Sequence, residues 1–443
     1  MTDKNLNRSR RRKNKAAPAP VKPKTRGLAG GYLTILSDAD MAAIDAAAKA
    51  ILWQTGVVGA PHRLTQKACD EGAVLTQEGR LQIPPALTSK ALSAFAKPLT
   101  LYGRKAGQEL HLGSGQVYTG TGGAAPLVLD EDGSTFREAG ISDLFKAARL
   151  AEALEHIHFF SRPVVARDIE TPRDMDIATA FTSLKGTSKH IMTSVSAAED
   201  VAAIADICFT LAGSEEAFRE KPFLSLNINH ITPPLRLAEE AVEVMAEAIK
   251  FGLPVQCNTF GQLGASSPVP LAGSLAQTCA ETLAGLVMAW LIDENAKAIF
   301  GPRPMVTDLR TGAMSGGSGE QALIMAWPVE IVPAAISREA DGLAMSSRNM
   351  RLLPDEREDA AQIFAVLSSS ISRLNLHETS PKAFAKQCTE ALNAVPSIQV
   401  EYVSCCDAAT LQQVNEFDTS RPTRVFAAVQ CGKVRLIDNL PLF

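Results

Sequence analysis

The stretch FLSLNINHITPPLRLAEEAVEVMAEAIKFGLPVQCNTF, from Phe223 to Phe260, decides the fold. Phe223 to Asn229 is a short β-like segment. Pro233-Pro234 interrupts it, and Leu237, Ala238, Ala241, Val242, Met245, Ala248 and Ile249 then form an apolar stripe at helical period. Leu253 to Phe260 is β-like again. Strand, helix and strand over this length predict one βαβ unit in a parallel sheet.

Outward from this unit the rhythm repeats. Similar β-like segments lie at His156 to Val165, His190 to Val195 and Ala298 to Gly301, so strands recur every 30 to 45 residues. Thr171-Pro172 is a cap with proline at the first helical position, and Ser196 to Glu199 has capping-box spacing. Polar residues stand at the strand C-ends: Arg167 and Asp168, Ser194 and Ser196, Asn227, Asn229 and His230, Asn258 and Thr259, and Arg303. That placement predicts an α/β fold, an incomplete (β/α)₈ barrel of TIM type with its chemistry on the C-terminal rim. A doubly wound sheet competes, but no glycine-rich phosphate turn follows Val165. His230, Asn258 and Arg303 are the rim candidates for substrate contact. His156 and His158 alternate along the first β-like segment and so face one side; for both, a satisfied core or surface histidine is the plainer alternative to metal ligation, since no third ligand has suitable spacing. His190 lies at a strand start. Ahead of the rhythm, residues 37 to 56 and 64 to 98 read as helical and irregular, and Gln116 to Asp130 as a hairpin around Thr119-Gly-Thr-Gly-Gly123.

The rhythm stops at Ala326. Val329 to Pro333 reads as a strand, Arg338 to Asn349 as a polar loop, and Pro354 to Leu374 and Pro381 to Val395 as helices. A strand at Val400 to Ser404 and a hairpin around Cys431-Gly-Lys433 complete a small α+β domain. The predicted organisation is a basic tail over 1–27, a partial barrel over 28–326 and the small domain over 327–443, with no linker at the join.

Bulk composition excludes several classes. The chain of 443 residues is 46% hydrophobic and 21% charged, which is globular. Its longest clean apolar run, Leu283 to Ile292, is half the length of a membrane span, and no secretory h-region is visible, so a cytoplasmic location without a membrane partner is expected. Eight scattered cysteines predict reduced thiols. Of 44 basic and 48 acidic residues, ten basic and one acidic lie in residues 1–27. The body keeps 34 and 47, a balance of −13, so a nucleic-acid partner is not expected and the tail reads as a solvated segment.

Two longer strings carry family resemblances. Thr119-Gly-Thr-Gly-Gly123 and Asp308-Leu-Arg-Thr-Gly-Ala-Met-Ser-Gly-Gly317, with the barrel rhythm between them, make residues 28–326 resemble the trimethylamine methyltransferase family. The resemblance implies methyl transfer from trimethylamine, or a quaternary amine such as glycine betaine, to a corrinoid on a separate protein. It leaves a homo-oligomer open. The glycine run Gly312 to Gly319 leads into a helix at Glu320, a further rim candidate. In that family the barrel continues past this helix, and the segment bearing pyrrolysine or its substitute lies there; no such continuation follows here.

Arg338-Glu-Ala-Asp-Gly-Leu-Ala-Met-Ser-Ser-Arg-Asn349 and the final Val434 to Asn439 make residues 328–443 resemble the C-terminal domain of pantothenate synthetase. That implies ATP contacts from Met345, Ser346, Ser347 and Arg348. The family's His-x-Gly-His signature occurs nowhere in the chain, and Leu353 stands where serine is common. Three readings follow: a corrinoid-dependent methyltransferase-type protein, a pantoate–β-alanine ligase, and a fusion without catalysis. No individual catalytic residue is assigned.

Overall fold

The computed structural model describes residues 28–29, 36–113, 115–130, 135–307, 336–376, 378–408 and 410–443. The basic tail, the glycine run, Glu320, the join at Ala326 and the strand expected at Val329 to Pro333 lie outside the described residues. The chain divides into two compact units: Pro98–Leu226 with Phe251–Leu253, and Leu28–Lys97 with Asn227–Lys250 and Pro254–Phe443.

Five parallel strands follow chain order: β1 (Phe159–Ser161), β2 (His190–Thr193), β3 (Leu224–Ile228), β4 (Val255–Thr259) and β5 (Ala298–Pro302). In the first unit β2 pairs with β1, His190 opposite Phe159, and with β3, Met192 opposite Ser225. Helices Ile141–Ala153, Pro172–Gly186 and Val201–Ala212 accompany them. The Thr171 hydroxyl accepts from Asp174 N, so the cap read from Thr171-Pro172 is present. The capping box read at Ser196 is not. Ser196 N donates instead to the buried Asp176 carboxylate at 2.6 Å, and the helix starts after a 3₁₀ turn at Ala198–Asp200.

The expected hairpin over Gln116 to Asp130 is corrected. The glycine-rich segment runs parallel along β1, with Gly120 bridging Phe159 and Ala125 bridging Val164. His158 N donates to Thr119 O at 2.7 Å, and Val165 N to Ala125 O at 2.9 Å. Gly120 is there for close approach: a Cβ would lie 2.2 Å from the Phe159 ring. The antiparallel hairpin comes later, pairing Leu127–Leu129 with Phe136–Glu138. The reading of His156 and His158 as alternating along a strand is also corrected. β1 begins only at Phe159, and His156 sits exposed in the preceding turn.

In the second unit, the helices Asp38–Ala50, His62–Asp70 and Pro85–Phe95 precede the strands. β4 and β5 pair over five residues, Asn258 opposite Gly301. The helix Leu271–Ile292 is 22 residues long and apolar enough to cross a membrane, unlike the shorter run read from sequence. It is the packed core helix of this unit, 83% of its apolar window being buried.

The small domain carries an antiparallel sheet of β6 (Ile398–Asp407), β7 (Thr423–Cys431) and β8 (Val434–Pro441). Helices Pro354–Ser372 and Pro381–Asn393 cover one sheet face. Val425, Ala427, Val429 and Cys431 pack there with Ile363, Leu367, Phe384 and Leu392. Cys405 is buried and Cys406 half-buried, as opposite faces of a strand require.

Candidate functional site

In the first unit Asp168, at a strand C-end, and His190, at the start of β2, serve structure. Both Asp168 carboxylate oxygens accept from Ile141 N, at 2.9 and 3.1 Å, at the start of the helix Ile141–Ala153. His190 is fully buried, with Nδ1 3.0 Å from the Tyr102 carbonyl and Nε2 2.9 Å from Ser225 Oγ. A carbonyl only accepts, so Nδ1 carries the proton and the serine hydroxyl donates to Nε2. Burial pushes this imidazole down to about 4, so it is neutral at physiological pH.

The second unit brings together a different set. On β4, Val255, Cys257 and Thr259 turn to the core helix, where Thr259 Oγ1 lies 2.9 Å from Thr282 Oγ1. Gln256 and Asn258 therefore share the opposite face. The register places Gly301 beside Asn258, and Arg303 follows two residues later. Asn258 is 1% exposed, and its Oδ1 has no hydrogen-bond partner among the described residues. The same holds for Gln256 Oε1, Asn227 Oδ1 and Thr307 Oγ1. Buried oxygens in that condition cost free energy that a ligand can recover. Arg303 N donates to Thr259 O at 2.9 Å, and its guanidinium lies 5.9 Å from the Phe260 ring centroid. Burial lowers its proton affinity, and no carboxylate pairs with it among the described residues.

His230 sits inside rather than at the surface. It has no exposed area, and its Nε2 donates to the Glu281 carbonyl at 2.9 Å. Its ring packs so closely on Gly285 that a Cβ there would lie 2.3 Å from it. The exposed residue at the end of β3 is Asn229. Glu281 was not among the residues singled out from the sequence. Its Oε1 accepts from Leu235 N at 2.9 Å and from Gln277 Nε2 at 3.0 Å, while Oε2 is buried without a partner among the described residues. Burial pushes this carboxyl up to about 7. An acid inside a long apolar helix was the signal for it. Among the described residues no cluster of His, Cys, Asp or Glu could hold a metal ion.

The small domain holds the other predicted set. Arg338 reaches the 5% exposed Asp438 with two hydrogen bonds, 2.7 and 2.9 Å, and lies 4.3 Å from the Phe364 ring centroid. Arg357 ties down the same loop through Glu339 and Asp341, at 2.5 and 2.6 Å. So anchored, the loop turns at Ser346, whose Oγ accepts from Arg348 N at 3.2 Å. Met345, Ser346 and Arg348 then line one hollow of about 460 Å³ with Tyr402, Phe426 and Ile437. Of the four positions expected to contact ATP, these three share it; the Ser347 side chain is outside the description.

A family model described as trimethylamine methyltransferase (MTTB) matches residues 4–347, and one described as pantoate-beta-alanine ligase matches residues 322–441. Trimethylamine methyltransferase MttB1 of Methanosarcina mazei is 31% identical over 304 residues, 68% of this chain and 61% of that protein. The chain thus spans about three-fifths of the length of the curated methyltransferases it matches. Pantothenate synthetase of Porphyromonas gingivalis is 41% identical over 117 residues, 26% of this chain and 41% of that protein. The crystal structure of the hydroxylamine MtmB complex aligns over 68% of this chain and 60% of its own at 12% identity, with a TM-score of 0.42. The chain belongs to the trimethylamine methyltransferase family and carries, after it in sequence, a domain similar to the C-terminal part of pantoate-beta-alanine ligases.

Proposed function

We propose that the chain acts in methyl transfer from a methylated amine, trimethylamine or a quaternary amine such as glycine betaine, to a corrinoid carried by a separate protein. The observation that carries this reading is the family match over residues 4–347. The parallel strands are read as the retained wall of a (β/α)₈ barrel, with the chemistry at their C-ends. In this reading Asn258 and Arg303 contact substrate at the strand ends, and His230 acts behind the wall by fixing the turn after β3. A desolvated guanidinium suits a carboxylate, which favours glycine betaine over trimethylamine. What the protein supplies is alignment: the transferring methyl and its acceptor must be held in line, and ordering them removes an entropic cost from the reaction.

The test is anaerobic incubation of the purified chain with cob(I)alamin and each amine, following methylcobalamin by absorbance. The reading expects methylation with glycine betaine in excess of an enzyme-free control. Rates equal to that control for both amines, at high enzyme, would defeat it.

A second reading has its own observation, the hollow shared by Met345, Ser346 and Arg348. It is a pantoate–β-alanine ligase function in which this domain contacts ATP polyphosphate through hydroxyls and a guanidinium. AMP release dependent on both pantoate and β-alanine supports it; ATP turnover indifferent to both excludes it.

A further inference from the structure

We propose that Glu281 is a positioning residue for Arg303, acting through the loop after β4, which it ties to the loop after β3. This rests on the reading in which Arg303 contacts substrate, and it names what holds that side chain in place.

The tie is a run of hydrogen bonds that starts on the core helix. Leu235 N donates to Glu281 Oε1 at 2.9 Å, and Gln277 Nε2 donates to the same oxygen at 3.0 Å. Gln277 Nε2 also donates to the Ser266 carbonyl at 2.8 Å. Gln277 and Glu281 stand about one helical turn apart, so one face of the helix presents both. Beyond Ser266 the run continues. Gln262 N donates to Ser266 Oγ at 3.0 Å, and Gln262 pairs with Met305 in parallel register. Thr259 O and Gly261 O accept from Arg303 N and Met305 N, both at 2.9 Å. The loop after β4 therefore grips the backbone at Arg303 and just beyond it. It also carries Phe260, whose ring centroid lies 5.9 Å from the guanidinium.

The other end is built as closely. Leu235 has a φ of +54°, which a leucine keeps only where its surroundings hold it. Its N–H is held by Glu281, and its carbonyl accepts from Val58 N at 3.0 Å. His230, at the start of the same loop, donates from Nε2 to the Glu281 carbonyl at 2.9 Å. Residue 281 thus meets one loop through side chain and backbone, and the other through Gln277. A carboxyl oxygen has two lone pairs and serves both donors. An apolar side chain would leave the buried Leu235 N–H unpaired and Gln277 without its anchor. Losing the carboxyl should therefore release both loops, and losing Gln277 only the loop after β4.

The test compares Glu281→Gln, which keeps an acceptor, with Glu281→Leu and Gln277→Leu, which break the tie at each member. Amide exchange is followed by mass spectrometry in peptides spanning 231–237, 260–267 and 303–306, with the helix Leu271–Ile292 as internal reference. The work is done at pH 6, below the carboxyl's own value of about 7, so that its charge does not enter. Glycine betaine is titrated calorimetrically into each full chain. Both leucine variants should exchange at least about tenfold faster over 260–267 and 303–306, with the core helix unchanged. Exchange over 231–237 should rise in Glu281→Leu alone. Glycine betaine affinity should fall about tenfold or more in both leucine variants and match the parent in Glu281→Gln. Should Glu281→Leu not fold, Gln277→Leu carries the comparison. Faster exchange throughout the chain, Glu281→Gln behaving like Glu281→Leu, or exchange over 303–306 unmoved by either leucine variant overturns the proposal. A parent chain that binds no glycine betaine defeats the methylated-amine reading, and exchange still decides the tie.

Discussion

Replacing Glu281 by glutamine should remove one pH dependence of stability and leave the fold intact. The carboxyl is fully buried on the core helix, with one oxygen bonded to Leu235 N and Gln277 and the other without a partner among the described residues. Burial lifts it to about 7, against 4.5 for the free side chain. The folded state therefore holds this proton more tightly than the unfolded chain. Its contribution is fully present below pH 4.5 and is lost as pH rises through 7. The difference corresponds to roughly 3 kcal/mol, from about 1.4 kcal/mol per pKa unit. His190 and His230 are shifted the other way, downward by burial, so the parent's own curve mixes opposing slopes. The difference between Glu281→Gln and parent isolates the one group. Glutamine keeps the acceptor for Leu235 N and carries no charge. Urea melts at pH 5, 6, 7 and 8, followed by tryptophan fluorescence, to which Trp290 on the same helix contributes, give that difference. It should be small at pH 5 and grow to about 3 kcal/mol in favour of glutamine by pH 8. Parallel curves over the whole range would mean that the Glu281 carboxyl is not raised by its burial.

Other expectations follow from single contacts. Arg338→Met strands the buried Asp438 carboxylate and should cost about 3 kcal/mol in the small domain, seen as faster amide exchange in β7 and β8; the double change with Asp438→Leu should restore most of it. Gly120→Ala drives a methyl into the Phe159 ring and should cost about 1–3 kcal/mol by denaturant melt, whereas a loose turn would tolerate it. At Leu353 only half of a capping box exists, since Glu356 accepts from the Leu353 amide at 2.9 Å while leucine offers no oxygen in return. Leu353→Ser supplies it and should add about 1 kcal/mol to the small domain, again by amide exchange.

The strand and helix alternation was legible because each βαβ unit writes its own period into local sequence. The polar loop from Arg338 to Asn349 was legible as a string, and its anchoring on Asp438 was not, because that partner is 100 residues distant. Thr119 to Gly123 misled for a physical reason. Glycines mark turns and close approaches alike, and only the Phe159 ring, distant in sequence, decides which. His230 and Asn229 were inseparable while the end of β3 was unknown, since one residue of phase exchanges the inner and outer faces. Asn258 and Arg303 were visible as strand ends. That the amide oxygens of Asn227, Gln256 and Asn258 have no partner among the described residues depends on pairing across strands, which no local pattern records.

The most direct measurement of the account runs both assays on one purified preparation. Methylcobalamin formation from glycine betaine is followed beside AMP release from ATP with pantoate and β-alanine. Methylcobalamin should form, and its formation should fall at least about tenfold in Asn258→Leu, as expected when one tight contact is lost. AMP release that needs pantoate and β-alanine, with no methyl transfer from any amine, would contradict it.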